Sequence, residues 1–371
     1  MENNQFSQLS LLYFEPNGQL KKDASLTFFR SLPLTSILCF EPRELQTLFI
    51  NWYGPDIHWE LLSPGSFTGR SNDPVIKIST KNEVYFFKRF LRSEQALKEY
   101  LGYLYTTELN LPYWKHVPIV KIGRLQQLNG QEQIYLVTKS AQGLQPFRYF
   151  QNSSDLASSE TTLQTLAKAL SDMHARDSYL FSEEEAYARI PPTFTTPHLQ
   201  KKLQSHPSLH TFYQNFQTRL NTFTKNPPRG ALSISPDFYF TNCAFLPSNT
   251  YLECFDQGYI INFFTPKGKC FLFPEQIVAT TVLSLSRLSL QKLFSRKLAR
   301  HLATTFLTTY YNNTSNVLDL FYEHADFWIH HALIHGLDTG FSNHDDSLIT
   351  SLHKFILQYS KNPKKFIAGL L

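Results

Sequence analysis

The sequence predicts a mixed α+β chain with two lobes, a β-rich lobe holding one helix followed by a mainly helical lobe. Three observations lead there. Strand-prone runs separated by turn signals fill the stretch from about residue 58 to 140. An amphipathic helical pattern then runs from Leu163 to His174, and from Pro274 onward the pattern is mainly helical. The 371 residues are 42% hydrophobic and 15% aromatic, with 32 Phe and 19 Tyr and only 18% charged residues, a composition too rich in core formers for disorder. Such a length fits two domains or one two-lobed unit.

Residues 1–57 have mixed patterning punctuated by Pro33, Pro42 and Pro55, and are read as an N-terminal extension without an assigned fold. The first lobe occupies 58–140. Val75-Ile76-Lys77-Ile78 is a short apolar run, Ser79-Thr80-Lys81-Asn82 reads as a turn, and Glu83–Phe90 is strongly β-prone. Two-residue periodicity puts Val84, Phe86, Lys88 and Phe90 on one face, so a lysine stands among apolar neighbours. Ser93–Leu104 reads as a helix capped by Ser93, with Ala96, Tyr100 and Leu104 at helical spacing. Val117–Leu125 and Gln133–Thr138 read as strands around the turn dipeptide Asn129-Gly130. After Gly143 the character changes, and 141–371 forms the helical lobe. Leu163, Leu166, Ala167, Leu170 and Met173 make one stripe there. Leu209–Phe223 is a further helix, bounded by Pro191-Pro192 and Pro227-Pro228.

Several function classes are excluded. The apolar stretches are too short and too interrupted to span a bilayer. Met1-Glu2-Asn3-Asn4-Gln5 carries no secretory signal pattern. Cys39, Cys243, Cys254 and Cys270 show no CxxC pair, which fits a reducing cytoplasm. A net charge of +5 without a Lys/Arg run gives no reason to expect nucleic acid. Arg287, Lys292, Arg296, Lys297 and Arg300 fall on one predicted helix, with Lys292, Arg296 and Arg300 sharing a face. That face is either solvated or a patch for an anionic acceptor or a membrane surface. His324, His331 and His335 have a spacing zinc would accept, but no general-base Glu accompanies them. Trp328, Ile329 and Leu333 mark the same stretch as a packed amphipathic helix.

The most informative segment is 234–258. Asp237 and Asn242 stand as D-x-x-x-x-N, and two apolar runs, Cys243–Leu246 and Tyr251–Phe255, are joined by the turn Pro247-Ser248-Asn249-Thr250. A hairpin here returns Asp256 towards the loop that carries Asp237. Taken alone, D-x-x-x-x-N is a weak motif, often a surface Asp and a turn Asn. With the hairpin and the second Asp it supplies what phosphoryl transfer needs: one carboxylate for the acceptor hydroxyl, and a carboxylate with an amide for Mg²⁺.

This segment resembles the catalytic and metal-binding loops of the protein-kinase-like phosphotransferases. The small-molecule branch is the most similar: aminoglycoside phosphotransferase-like and choline kinase-like enzymes, and the lipopolysaccharide core Kdo/heptose kinases. The resemblance covers roughly residues 60–310. Ala169-Leu170-Ser171-Asp172-Met173-His174 is similar to the helix that precedes the family's catalytic loop. Tyr135-Leu136-Val137-Thr138-Lys139 resembles the strand into the hinge, and its Leu-Val-Thr is close to the lipopolysaccharide-kinase form. The resemblance implies a bilobal fold with nucleotide between the lobes, ATP and Mg²⁺ as cofactors, and transfer to an alcohol group of a small molecule or lipid sugar. It makes Asp237 the catalytic base, Asn242 and Asp256 the metal ligands, Lys88 the nucleotide-binding strand lysine and Glu99 its helix partner. Gly65 and Gly69 fall in the phosphate-binding loop, and 180–230 is the acceptor-site insert. His174 takes the supporting, noncatalytic position.

Alternatives stand beside these roles. Lys88 also reads as an edge-strand lysine that deters aggregation, and Glu94 competes with Glu99 on the same helix. Two departures from the family matter. Ser235 replaces the usual His two residues before the catalytic Asp, and the loop has two glycines where protein kinases have three. They support the alternative of a pseudokinase or binding module that keeps the fold without turnover, while the presence together of Lys88, Asp237, Asn242 and Asp256 argues against it.

Overall fold

The structure is a computed structural model. It describes residues 5–37, 42–62, 75–126, 130–151, 156–190, 197–234, 243–246, 248, 250–255, 258–290, 294–312, 317–342 and 346–371. The chain opens with α1 (Gln5–Tyr13), α2 (Ala24–Ser31), β1 (Leu34–Ile37) and α3 (Pro42–Tyr53). Then come β2 (His58–Leu62), β3 (Val75–Ser79), β4 (Val84–Phe90), α4 (Ser93–Glu108), β5 (Trp114–His116), β6 (Ile119–Gln126) and β7 (Glu132–Lys139). Next are α5 (Pro146–Gln151), α6 (Leu156–Arg176), β8 (Ser178–Tyr179), α7 (Glu183–Ala188), α8 (Pro197–Leu203), α9 (Pro207–Lys225) and β9 (Gly230–Leu232). The hairpin strands β10 (Cys243–Phe245) and β11 (Leu252–Cys254) precede a 3-10 helix, Gly258–Phe263. The chain ends with β12 (Phe271–Leu272), α10 (Pro274–Leu290), α11 (Arg296–Tyr311), α12 (Val317–Ser342), α13 (Asp346–Lys361) and α14 (Pro363–Ala368).

Two compact units result, one from Met1–Gln145 with Phe240–Cys270 and the other from Pro146–Tyr239 with Phe271–Leu371. Among the described residues no helix is long and apolar enough to cross a membrane.

The first unit is built on a six-stranded sheet in the order β1-β6-β7-β4-β3-β2. Its strands carry β-branched and aromatic residues in alternation, which suits a pleated surface with both faces covered. α3 covers one face, where Leu45, Leu48 and Phe49 bury against Ile76, Ile78, Phe87 and Val137. Aromatic contacts dominate: Phe49 stands edge-on to Phe87 at 5.5 Å, and Tyr53 stacks on Tyr85 at 4.4 Å. α4 packs against β4 and β7. The N-terminal extension therefore supplies both a helix layer and a strand, since β1 pairs in parallel with β6.

Two local expectations are corrected. Ser93 is the first residue of α4 rather than its cap; Arg92 takes the cap position and makes no side-chain capping bond. The basic residues near 290 do not share one helix. Arg287 belongs to α10, whereas Arg296, Lys297 and Arg300 belong to α11. Lys292 lies outside the described residues. The physical reason is a cap: the Ser295 hydroxyl accepts the Leu298 N–H at 3.1 Å and starts a new helix there.

In the second unit α6 packs along α11, and α10, α12, α13 and α9 surround one another. A polar network crosses this apolar interior. Arg219 on α9 donates to Asp326 on α12 at 2.6 Å and to the Tyr359 hydroxyl on α13 at 2.9 Å. His330 Nε2 lies 3.0 Å from the Phe212 carbonyl. His331 packs against the Trp328 and Phe216 rings at 5.2 and 6.0 Å; α12 is buried nearly all round here rather than along one stripe, so the expected amphipathic pattern is not the one found. His174, at the end of α6, has Nδ1 2.8 Å from the Tyr310 hydroxyl on α11, which is a packing role.

Burial pushes the His174 imidazole down to about 3 and that of His330 down to about 4. In the unfolded chain both return to the ordinary value near 6.5. The folded pKa is depressed, so the unfolded state binds more protons between about pH 6.5 and 3. The stability these groups contribute is complete above 6.5 and is lost as pH falls through that window. His174→Asn is expected to flatten the fall by about 1.4 kcal/mol per pH unit. Denaturant midpoints between pH 7 and 4 for both proteins check this, and parallel curves would contradict it.

Candidate functional site

Lys88 lies on β4, opposite Val75 of β3 and Leu136 of β7. β4 has neighbours on both sides, so Lys88 is an interior-strand lysine and the edge-strand reading falls. Tyr85 and Phe87 point to the α3 face and are buried, which turns Lys88 to the opposite face. There its Nζ stands 3.8 Å from Glu99 Oε2 on α4 and 5.1 Å from the centre of the Phe90 ring. The side chains of Lys88 and Glu99 are 21% and 11% exposed. At 3.8 Å the contact is an ion pair, longer than a hydrogen bond. The competing Glu94 is 61% exposed and pairs with Lys98 one turn along the helix. The structure thus brings Glu99, not Glu94, to Lys88.

The expected hairpin is present. Cys243, Ala244 and Phe245 of β10 pair antiparallel with Cys254, Glu253 and Leu252 of β11. β11 continues the sheet to β5 through Leu252 opposite Trp114. Cys243 and Cys254 face each other and are buried, and burial pushes their thiols up, so they serve as small apolar residues. Asp237, Asn242, Asp256, Gly65 and Gly69 lie outside the described residues, as does Ser235.

One feature of this region was only marked in the sequence, by Gly143. The exit of β7 is joined to the hairpin. The Leu144 N–H donates to the Phe245 carbonyl at 3.0 Å, and the Phe245 N–H donates back to Leu144 at 2.9 Å. The Gln142 N–H also donates to the Glu253 carboxylate. Gly143 has φ +83°, and a Cβ there would lie 2.0 Å from the Phe245 carbonyl oxygen. Only glycine fits such a backbone-to-backbone approach. The segment after β7 is therefore fixed to β10 by main-chain bonds, whatever side chains surround it.

No protein-family model matches this chain, and no curated protein does. Solved structures do. The apo form of a thermostable mutant of aminoglycoside phosphotransferase APH(4)-Ia is 12% identical, with a TM-score of 0.54, over 88% of this chain and 97% of that one. APH(4)-Ia itself is 10% identical with a TM-score of 0.54, over 89% and 98%. A ternary complex of a thermostable variant with AMP-PNP and hygromycin B gives 11% and 0.54, over 88% and 97%. At such identities the likeness is one of fold. The chain has a protein-kinase-like phosphotransferase fold, with a β-sheet N-terminal region and a helical C-terminal region.

Gly143→Ala is expected to destabilise the protein by about 2–4 kcal/mol, through a left-handed backbone and an unavoidable clash with Phe245. A denaturation midpoint equal to wild type would show that this approach does not exist.

Proposed function

We propose that this protein transfers the γ-phosphoryl group of ATP to a hydroxyl group of a small molecule or of a glycolipid sugar. The observation that carries the reading is the Lys88–Glu99 pair, a strand cation held by a helix carboxylate within a phosphotransferase fold. The neighbouring structures that contain ADP or AMP-PNP together with hygromycin B support a nucleotide and a small-molecule acceptor as the two ligands.

The residues at hand suit the nucleotide's phosphates. A lysine 21% exposed beside an acidic partner would place its ammonium within reach of a bound phosphate. Lys88 would draw charge from the α- and β-phosphates, and Glu99 would hold its ammonium in place. Main-chain N–H groups near Gly65 and Gly69 would meet phosphate oxygens. Asn242, bonded to Cys243, and Asp256, two residues beyond Cys254, would hold Mg²⁺, because an amide and a carboxylate are the hard oxygen donors it prefers. Bound Mg²⁺ with ATP supplies the transferable phosphoryl group and offsets its charge. Asp237 would orient the acceptor hydroxyl and take its proton. The acceptor would be held by the 180–230 segment, of which α7, α8 and α9 are the described helices. The Leu136-Val137-Thr138 strand supports a lipid sugar among the acceptors, and the cysteine pattern supports a cytoplasmic setting.

Ser235 favours a second reading, a nucleotide-binding module without turnover. The two separate through Asp237. Asp237→Ala should keep Mg-ATP affinity and reduce phosphoryl transfer by about 10²–10⁴-fold. Asp256→Asn should instead weaken Mg²⁺-dependent nucleotide binding in a folded protein. Lys88→Met, which keeps the stem length, should weaken nucleotide binding with or without the metal. Calorimetry with ATP and MgCl₂, followed by ATP-consumption assays over sugar, amino-alcohol and lipid-sugar acceptors, measures all three. Wild-type binding without transfer to any acceptor would favour the binding module, and no binding at all would end the proposal.

A further inference from the structure

Residues 5–31 lie outside the family resemblance, yet they pack on the helix that carries Glu99. α4 is gripped at two places. Phe28 of α2, only 2% exposed, stacks on Tyr100 with ring centres 5.6 Å apart. Tyr100 is the residue next to Glu99. One turn further along α4, Tyr105 meets Phe6 of α1 at 5.4 Å and Phe264 at 4.9 Å. Phe14, just beyond α1, stacks flat on Phe264 at 5.1 Å, so Phe6, Phe14, Tyr105 and Phe264 make one cluster.

The grip is anchored at both ends. The Ser7 N–H donates to the Glu108 carboxylate at 3.1 Å, which fixes the start of α1 to the end of α4. The Cys270 N–H donates to the Tyr105 hydroxyl at 3.1 Å. Gly18 has φ +83°, and a Cβ on it would come within 2.4 Å of the Thr265 carbonyl oxygen. The N-terminal segment is thus pressed backbone against backbone on the residues that follow the 3-10 helix.

A helix held this way cannot rotate or slide without breaking ring contacts on two sides. Aromatic pairs of this kind contribute beyond their buried area. Glu99 faces Lys88 at 3.8 Å, a separation that a small helix shift would lengthen or close. We infer that residues 5–31 form a positioning clamp, in which Phe28 on Tyr100 and Phe6 on Tyr105, with Phe14 backing Phe6 and Phe264, hold α4 where Glu99 pairs with Lys88. The clamp rests on the nucleotide reading above for its consequence and on the packing alone for its existence. Phe6, Phe14 and Phe28 act as positioning residues, through Glu99.

Phe14 is half-buried, so Phe14→Ala should fold. Mg-ATP affinity by calorimetry is expected to drop about 5–10-fold, the size of a coupling carried through a shared packing cluster. In a Glu99→Gln background the same substitution should cost no further affinity, because the position it protects no longer holds a charge. Phe14→Tyr should keep wild-type affinity. Hydrogen exchange over Ser93–Glu108 should quicken in Phe14→Ala while β3 stays unchanged. Gly18→Ala offers a second variant that loosens the clamp without removing a ring and should behave alike. Equal losses in both backgrounds, or no loss in either, would overturn the clamp. If wild type binds no Mg-ATP, the nucleotide reading fails and exchange alone decides: faster exchange in α4 supports the clamp, and unchanged exchange removes it.

Discussion

A carboxylate that is nine-tenths buried has to be met by a cation, and Glu99 is met by Lys88. Leaving either charge alone in so dry a place costs on the order of 3–5 kcal/mol, a sizeable part of a domain's net stability. A pair with a solvent-facing carboxylate, such as Glu94–Lys98, is worth about 0–1 kcal/mol. The difference explains why the first unit is organised around this contact. It needs β4 inside the sheet, so that Lys88 is fixed from both sides. It also needs α4 immobile on the face opposite α3.

Aromatic packing adds to the ladder and anchoring hydrogen bonds in meeting both conditions. Phe49, Trp52 and Tyr53 of α3 fill the outer face against Phe87, Tyr135 and Tyr85. A sheet covered on both faces has no slack in register, since a one-residue slip would exchange Lys88 with a core position. Close main-chain approaches at Gly143 and Gly18 then lock the hairpin and the N-terminal segment to the same unit.

The helical unit solves a different problem. It carries a partly buried network of Arg219, Asp326, Tyr359 and His330, in which every member has a partner within the set. A satisfied network of this kind favours one arrangement of α9, α12 and α13, because a shifted helix would break several of its bonds at once. α9 is also the longest described helix of the 180–230 segment, so that segment is braced from within its own unit.

Local patterning in the sequence determined the central strands β3, β4, β6 and β7, the long helix ending near His174 and the hairpin strands within 243–254. Alternation, turn dipeptides and helical spacing are properties of neighbouring residues, so each was legible without a partner. Lys88 stood out because its charge broke an apolar face, and Gly143 because composition changed there. The choice of Glu99 over Glu94 was not legible, since both sit on one helix and only the sheet beneath decides which is buried. Neither was the fate of residues 1–57. β1 pairs with residues about ninety positions away, α3 covers a face that pattern alone leaves open, and Phe6, Phe14 and Phe28 find Tyr105, Phe264 and Tyr100. Such contacts depend on ring shape meeting ring shape across the fold. A linear sequence records which residues are apolar, while three-dimensional packing decides what each one touches.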